Sequence, residues 1–293
     1  MTPEPGLERI GLTVDRIGEG PIWDGPSASL IWVDIMSGLV RRYSPSTGLT
    51  TTLDVGRHVG AVAVRAGGGL VLASDDGFRL LDPGQATTRL IGPIGADDPE
   101  RRMNDGKCDP NGRFWAGTMR YDKAAGGGAF YCLEPDGTVR VKVPTVTISN
   151  GLDWSPDGRT MYYVDTPTQR IDAFEFDPAD GSLGARRPLV TIDPADGNPD
   201  GLTVDAEGHI WLALWRGWAV RRYSPEGRFE REVRLPTALV TSVAFGGANL
   251  DELYITSANE ELGGLERAAQ PEAGALFRYR PGVCGRPANT FAG

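Results

Sequence analysis

Apolar residues along the chain come in short bursts of about five, separated by turn residues, and no long amphipathic helix stands out. Three bursts recur in a fixed order, six times over. The first reads "GPIWD" at 20, "GAVAV" at 60, "GKCDP" at 106, "GLDWS" at 151, "GLTVD" at 201 and "SVAFG" at 242. A tight turn such as "DPNG", "SPDG" or "DAEG" leads to the second: "LIWVD" at 30, "LVLAS" at 70, "RFWAG" at 113, "TMYYVD" at 160, "HIWLAL" at 209 and "ELYITS" at 252. The third ends in proline each time, at Pro45, Pro83, Pro135, Pro178, Pro225 and Pro281. A residue that cannot donate a ladder hydrogen bond suits a strand end.

A period of about 45 residues is that of a four-stranded propeller blade. The pattern predicts an all-β fold, a single six-bladed β-propeller over residues 1–293 around a central channel, which buries strand faces and leaves only short edges. A β-sandwich accounts for the turns but not for the sixfold register. The last repeat stops after its third strand, and the apolar segment near residues 7–17 is left over. That segment is expected to supply the outer strand of the sixth blade, whereas loss of the C-terminal "NTFAG" is expected to cost little.

The first strand of a blade is innermost, so one register of six first strands forms a ring at a channel mouth. Counting back from the turn glycines, that register holds Glu19, Gly60, Asn104, Asn150, Asp200 and Thr241, spaced 41, 44, 46, 50 and 41 residues apart. Taken singly, Asn150-Gly151, Asp105-Gly106 and Asp200-Gly201 also read as ordinary turns. Together they gather two carboxylates and two amides, a set that resists desolvation unless a cation is present. Oxygen-only ligation suits one divalent ion such as Ca²⁺, Mg²⁺, Mn²⁺ or Zn²⁺. Two longer loops, 117–128 and 257–274, belong over the same opening as a lid or specificity wall, as does "WRGW", whose Trp215 or Trp218 is placed to face a sugar ring. Arg102, two residues before Asn104, has a guanidinium suited to an oxygen-rich ligand.

Composition narrows the chemistry further. The net charge of −9 and a pI near 4.9 argue against a nucleic-acid partner. Neither a membrane span nor a secretion signal is visible, and three cysteines without metal-type spacing fit a reducing cytoplasm. The sequence lacks G-x-S-x-G, H-E-x-x-H, P-loop and dinucleotide-binding motifs. Its two histidines are His58 and His209, and His209 falls in a turn at the far end from the ring. A serine–histidine mechanism is thereby disfavoured.

The stretches "GEGPIWD", "RMNDGKCDPNGRFWAGTM", "ISNGLDWSPDG", "NPDGLTVDAEGHIW" and "TSVAFGGANLDELYITSA" make the chain resemble the family of gluconolactonases, regucalcin and luciferin-regenerating enzymes. The resemblance implies one divalent cation (Ca²⁺, Zn²⁺, Mn²⁺, Mg²⁺ or Fe²⁺) on Glu19, Asn150 and Asp200, with Arg102 and Asn104 binding substrate. It also implies a substrate-binding glutamate on the loop after "AGTM", where the nearest acid here is Asp122. The expected activity is hydrolysis of a small sugar lactone of gluconolactone, xylonolactone or arabinolactone type, with Asp200 as general base. Two alternatives share the site: an esterase or organophosphate hydrolase, and a non-catalytic calcium-binding or protein-interaction propeller.

Overall fold

The computed structural model describes residues 3–95 and 98–293. Its strands form six antiparallel four-stranded sheets, here blades I to VI. The inner strands are Gly18–Asp24, Val59–Val64, Arg101–Cys108, Ser149–Trp154, Asn198–Val204 and Val240–Gly246. Each touches the next in succession and the sixth returns to the first, so the sheets close into a six-bladed β-propeller. The outer strand of blade VI is Glu8–Ile10, paired with Leu276–Tyr279. No helix of the described residues is long and apolar enough to cross a membrane.

Side chains between neighbouring blades supply the core. Trp32, Trp115, Trp154 and Trp211 are fully buried, and Trp115 meets Trp154 edge-on across blades III and IV. The repeated turn has its own logic. In "DPNGRFW" Asp109 accepts hydrogen bonds from the amides of Asn111 and Arg113 with one oxygen and from Trp115 Nε1 with the other. In "DAEGHIW" Asp205 does the same for Glu207, His209 and Trp211. A buried carboxylate thus ties the turn to the core tryptophan of the second strand.

The C-terminal segment overturns one expectation from the sequence. Phe291 is buried in the core of blades I to III. Its amide donates to Val64 O at 2.8 Å, its carbonyl accepts from the Ala66 amide at 2.8 Å, and Ala292 N donates to Gly112 O. "NTFAG" is therefore packed structure, and trimming it removes a core aromatic. Arg286, just before it, donates to Trp154 O, and Asn289, its first residue, to Cys108 O, so the tail crosses the end of the channel.

Candidate active site

Every inner strand carries a bulge at the register of the ring. In blades III, IV and V two residues face one on the second strand: Asn104 with Asp105, Asn150 with Gly151, and Asp200 with Gly201. In blades II and VI the extra residue is Gly60 and Thr241. A bulge interrupts the pleat and re-aims a side chain, here across the channel. Asn150-Gly151 is accordingly a strand bulge rather than a turn. In blade I the bulge falls on Gly20 and Pro21, which leaves Glu19 one position earlier.

Two ring glycines set the spacing. A Cβ on Gly60 would lie 2.3 Å from Asn104 O, and one on Gly151 would lie 2.5 Å from Asp200 O, so only glycine lets these inner strands approach. The ring is narrower in chemistry than in register. Thr241 turns its hydroxyl to Gly18 O at 2.6 Å and to Thr256. Glu19, Asn104, Asn150 and Asp200 remain, and all four line one cavity of about 280 Å³ with Arg102 and Trp215. Trp215 and Trp218 both pack against the apolar cluster of Leu239, Ala258 and Leu262, but Trp218 is not among the residues that line the cavity.

Hydrogen bonds fix the amides. Asn150 Nδ2 donates to Thr166 Oγ1 at 2.7 Å, and Thr166 in turn donates to Pro199 O. Asn150 Oδ1 is thereby directed inward, where it accepts from Asn104 Nδ2 at 2.7 Å. Asn104 also donates to Ser149 O and accepts from Arg102 Nη1 at 2.5 Å. It holds Arg102 and Asn150 in one network before it meets any ligand. Arg102 gives Met103 O a second hydrogen bond from Nη1.

The carboxylates have no such partners. Among the described residues, Glu19 accepts only from the Gly20 amide, at 2.7 Å, and Asp200 is supported only by the Gly201 amide. Burial, then Asp200 and Asp105, pushes the Glu19 carboxyl well above the usual range. Burial and then Asp105 do the same to Asp200. Asp105 itself is raised to about 6, first by burial. Arg102 opposes the shifts of Glu19 and Asp200, and Lys107 that of Asp105; burial lowers the pKa of Arg102 itself. Crowded, desolvated carboxylates beside an inward amide oxygen are the donor set of a hard divalent cation. The residues present fit that ion.

On the far side of the ring lies a smaller cavity of about 70 Å³. Asp105 lines it, with Lys107, Asp153 and Arg286. Burial alone would raise Asp153, but Lys107 at 3.1 Å and Arg286 at 3.4 Å outweigh it and hold the carboxyl below the ordinary range. Asp105 keeps the Gly106 amide as its hydrogen-bond donor.

The rim departs from the sequence reading. Asp122 points away from the cavity: its side chain is 55% exposed, pairs with Arg120 at 3.2 Å and caps the Ala124 amide. Its neighbour Lys123 lines the cavity, as does Glu261 from blade VI. The loop of blade III is shorter than residues 117–128 suggest, because the strand Phe114–Arg120 runs through its first four residues. The blade VI loop contains a short helix, Gly264–Ala269. Sequence reasoning missed Lys123, Glu261 and Thr166; none lies on an inner strand, and none falls in the repeat.

Asp205, Glu207 and His209 also bring three possible ligand atoms within 4.8 Å of one another. The turn already explains this cluster, since both Asp205 oxygens are occupied and Arg222 pairs with Asp205 at 2.7 Å and Glu207 at 2.6 Å.

The propeller and its ring define a class of protein, and comparison with known proteins gives its family. Residues 17–259 match the model of the SMP-30/gluconolactonase/LRE-like region. The chain belongs to this family. It is 37% identical over 285 residues to regucalcin of Xenopus laevis, covering 95% of both chains. A Bacillus subtilis (strain 168) protein, YvrE, provisionally named a sugar lactone lactonase, is 36% identical, with 94% of this chain and 95% of that protein covered. Among solved structures, regucalcin of Agrobacterium tumefaciens C58, titled a calcium-binding protein, superposes with a TM-score of 0.94 at 31% identity, over 99% of this chain and 98% of that one.

Proposed function

We propose that the protein hydrolyses a sugar lactone to the aldonic acid, with one divalent cation held by Glu19, Asn150 and Asp200. The observation that carries the reading is the pair of buried carboxylates, Glu19 and Asp200, which have no cationic partner at hydrogen-bond distance among the described residues and lie on the floor of an open cavity. Membership of the gluconolactonase-like family supports the choice of bond. When bound, the cation polarises the lactone carbonyl and stabilises the charge that develops on its oxygen.

The chain's own residues supply the rest. A water oxygen adds to the carbonyl carbon while Asp200 takes its proton, the ring C–O bond breaks, and the ring oxygen leaves as a hydroxyl with a proton returned from Asp200. Arg102 orients the ring oxygens, Asn104 holds Arg102 and Asn150 in register, and Trp215 presents an apolar face to the sugar.

The test combines metal analysis with a pH-drop assay over a panel of sugar lactones. Asp200→Ala is expected to cost at least about 10³-fold in turnover, because it removes the base and a cation ligand together. Full activity after exhaustive chelation would reject the scheme. Metal binding without lactone consumption above the spontaneous rate would leave a binding propeller in its place.

A further inference from the structure

The acid on the cavity wall comes from blade VI, not from the blade III loop that carries Asp122. Glu261 lines the same cavity as Glu19, Arg102, Asn150 and Asp200. Rim loops of three blades meet at it. Lys123 Nζ of blade III lies 2.5 Å from its Oε1, and Arg216 of blade V donates to its carbonyl at 3.2 Å while pairing with Glu266 at 3.3 Å. Lys123, Arg216 and Glu261 all hold left-handed backbone, with φ of 57°, 62° and 64°. A residue with a Cβ seldom adopts that region unless its surroundings impose it.

These contacts fix one carboxylate oxygen and leave the other without a hydrogen-bond partner among the described residues. Arg102 lies within electrostatic reach of Glu261, and among the described residues its side-chain hydrogen bonds come from Nη1 alone. The wall therefore pairs an acceptor that takes only O–H or N–H donors with a guanidinium that only donates. A hydroxyl does both, so neighbouring hydroxyls on a sugar ring match the two groups, and an unsubstituted ring matches neither. Lys123 offsets the Glu261 charge, so the wall selects for hydroxyl geometry rather than for a charged substrate.

We infer that Glu261 is a specificity-determining residue whose free carboxylate oxygen accepts hydrogen bonds from lactone hydroxyls remote from the reacting carbonyl. This rests on the lactonase reading, and the experiment separates the two. The metal-loaded parent, Glu261→Gln and Glu261→Asp are compared on glucono-δ-lactone and on δ-valerolactone, which lacks hydroxyls. The ratio of kcat/KM between the two lactones is expected to fall about 5- to 10-fold in Glu261→Gln, the difference between a hydrogen bond to a charged acceptor and one to a neutral acceptor, and to recover in part in Glu261→Asp. Melting curves of the three proteins check that the fold is kept.

A ratio within about twofold of the parent, where the parent hydrolyses both lactones, overturns the inference and leaves the lactonase reading standing. If the parent hydrolyses neither, the lactonase reading fails, and calorimetric titration with anhydroglucitol, a pyranose without a carbonyl, decides the role of Glu261. Binding by the parent that is about tenfold weaker in Glu261→Gln supports the hydroxyl site. Equal affinities, or no binding to the parent, overturn it.

Discussion

Replacing Asp105 by asparagine should stabilise the metal-free protein and weaken the metal-loaded one. Asp105 sits on the axial side of the ring, buried, with the Gly106 amide as its hydrogen-bond donor. Burial raises its carboxyl to about 6 from an ordinary 3.8. The gap of about two pH units corresponds to roughly 3 kcal/mol at 1.36 kcal/mol per unit. Because the folded protein holds the proton more tightly than the unfolded chain, ionisation opposes folding. The penalty is absent below about pH 4, grows between about 4 and 6, and is constant above. Asparagine keeps the acceptor for Gly106 and removes the charge. At pH 7 the chelated Asp105→Asn protein should be up to about 3 kcal/mol more stable, roughly 5 °C in Tm for a chain of this length. The gain should shrink to about 1 kcal/mol at pH 4.5. Thermal melts of chelated parent and variant across that range measure it directly. With Ca²⁺ or Mn²⁺ present the sign reverses, since the negative potential that helps hold the ion is reduced, and calorimetry should give weaker binding. A variant no more stable than its parent at pH 7, or a gain independent of pH, would refute the argument.

Two further outcomes follow from the same structure. Burial, and then neighbouring carboxylates, raise the pKa values of Glu19 and Asp200, so titrating Ca²⁺ or Mn²⁺ into the chelated protein near pH 6 should release protons. Apparent enthalpies should then differ between cacodylate and MES buffers, which ionise with different enthalpies, and affinity should fall on acidification; buffer-independent enthalpies would contradict the site. Phe291→Ala should cost about 3–5 kcal/mol in urea unfolding, as for other buried aromatics. Leu265→Ala, at a side chain that is 91% exposed, should stay within about 0.5 kcal/mol, and equal midpoints would contradict the packed tail.

The propeller was legible because each blade repeats one solution to one packing problem, and a recurrent solution leaves a recurrent phrase. The "DPNGRFW" and "DAEGHIW" turns show why: an aspartate, a glycine and a tryptophan are needed together to tie a turn to the core. The tail was not legible for the complementary reason. Phe291 docks once, on a tail that has no counterpart in the repeats, and its contacts join residues more than two hundred positions apart in sequence. A lone Phe in a short polar segment carries no period from which its burial can be read.

The same division runs through the site. Asn104, Asn150 and Asp200 were found because the bulge that aims them recurs at one register, and Glu19 was found although its bulge is displaced by a residue. Thr241 shares the register but spends its hydroxyl on the neighbouring backbone, so register alone overcounts the ring. The rim obeys no period. Lys123 and Glu261 meet across 138 residues, and Asp122 is turned outward by Arg120 and its own loop amides. The floor, where charge must be gathered for any ligand, is therefore written into the repeat. The wall, where one substrate is told from another, is written into insertions between repeats, and long-range ion pairs rather than strand register decide which acid faces the cavity.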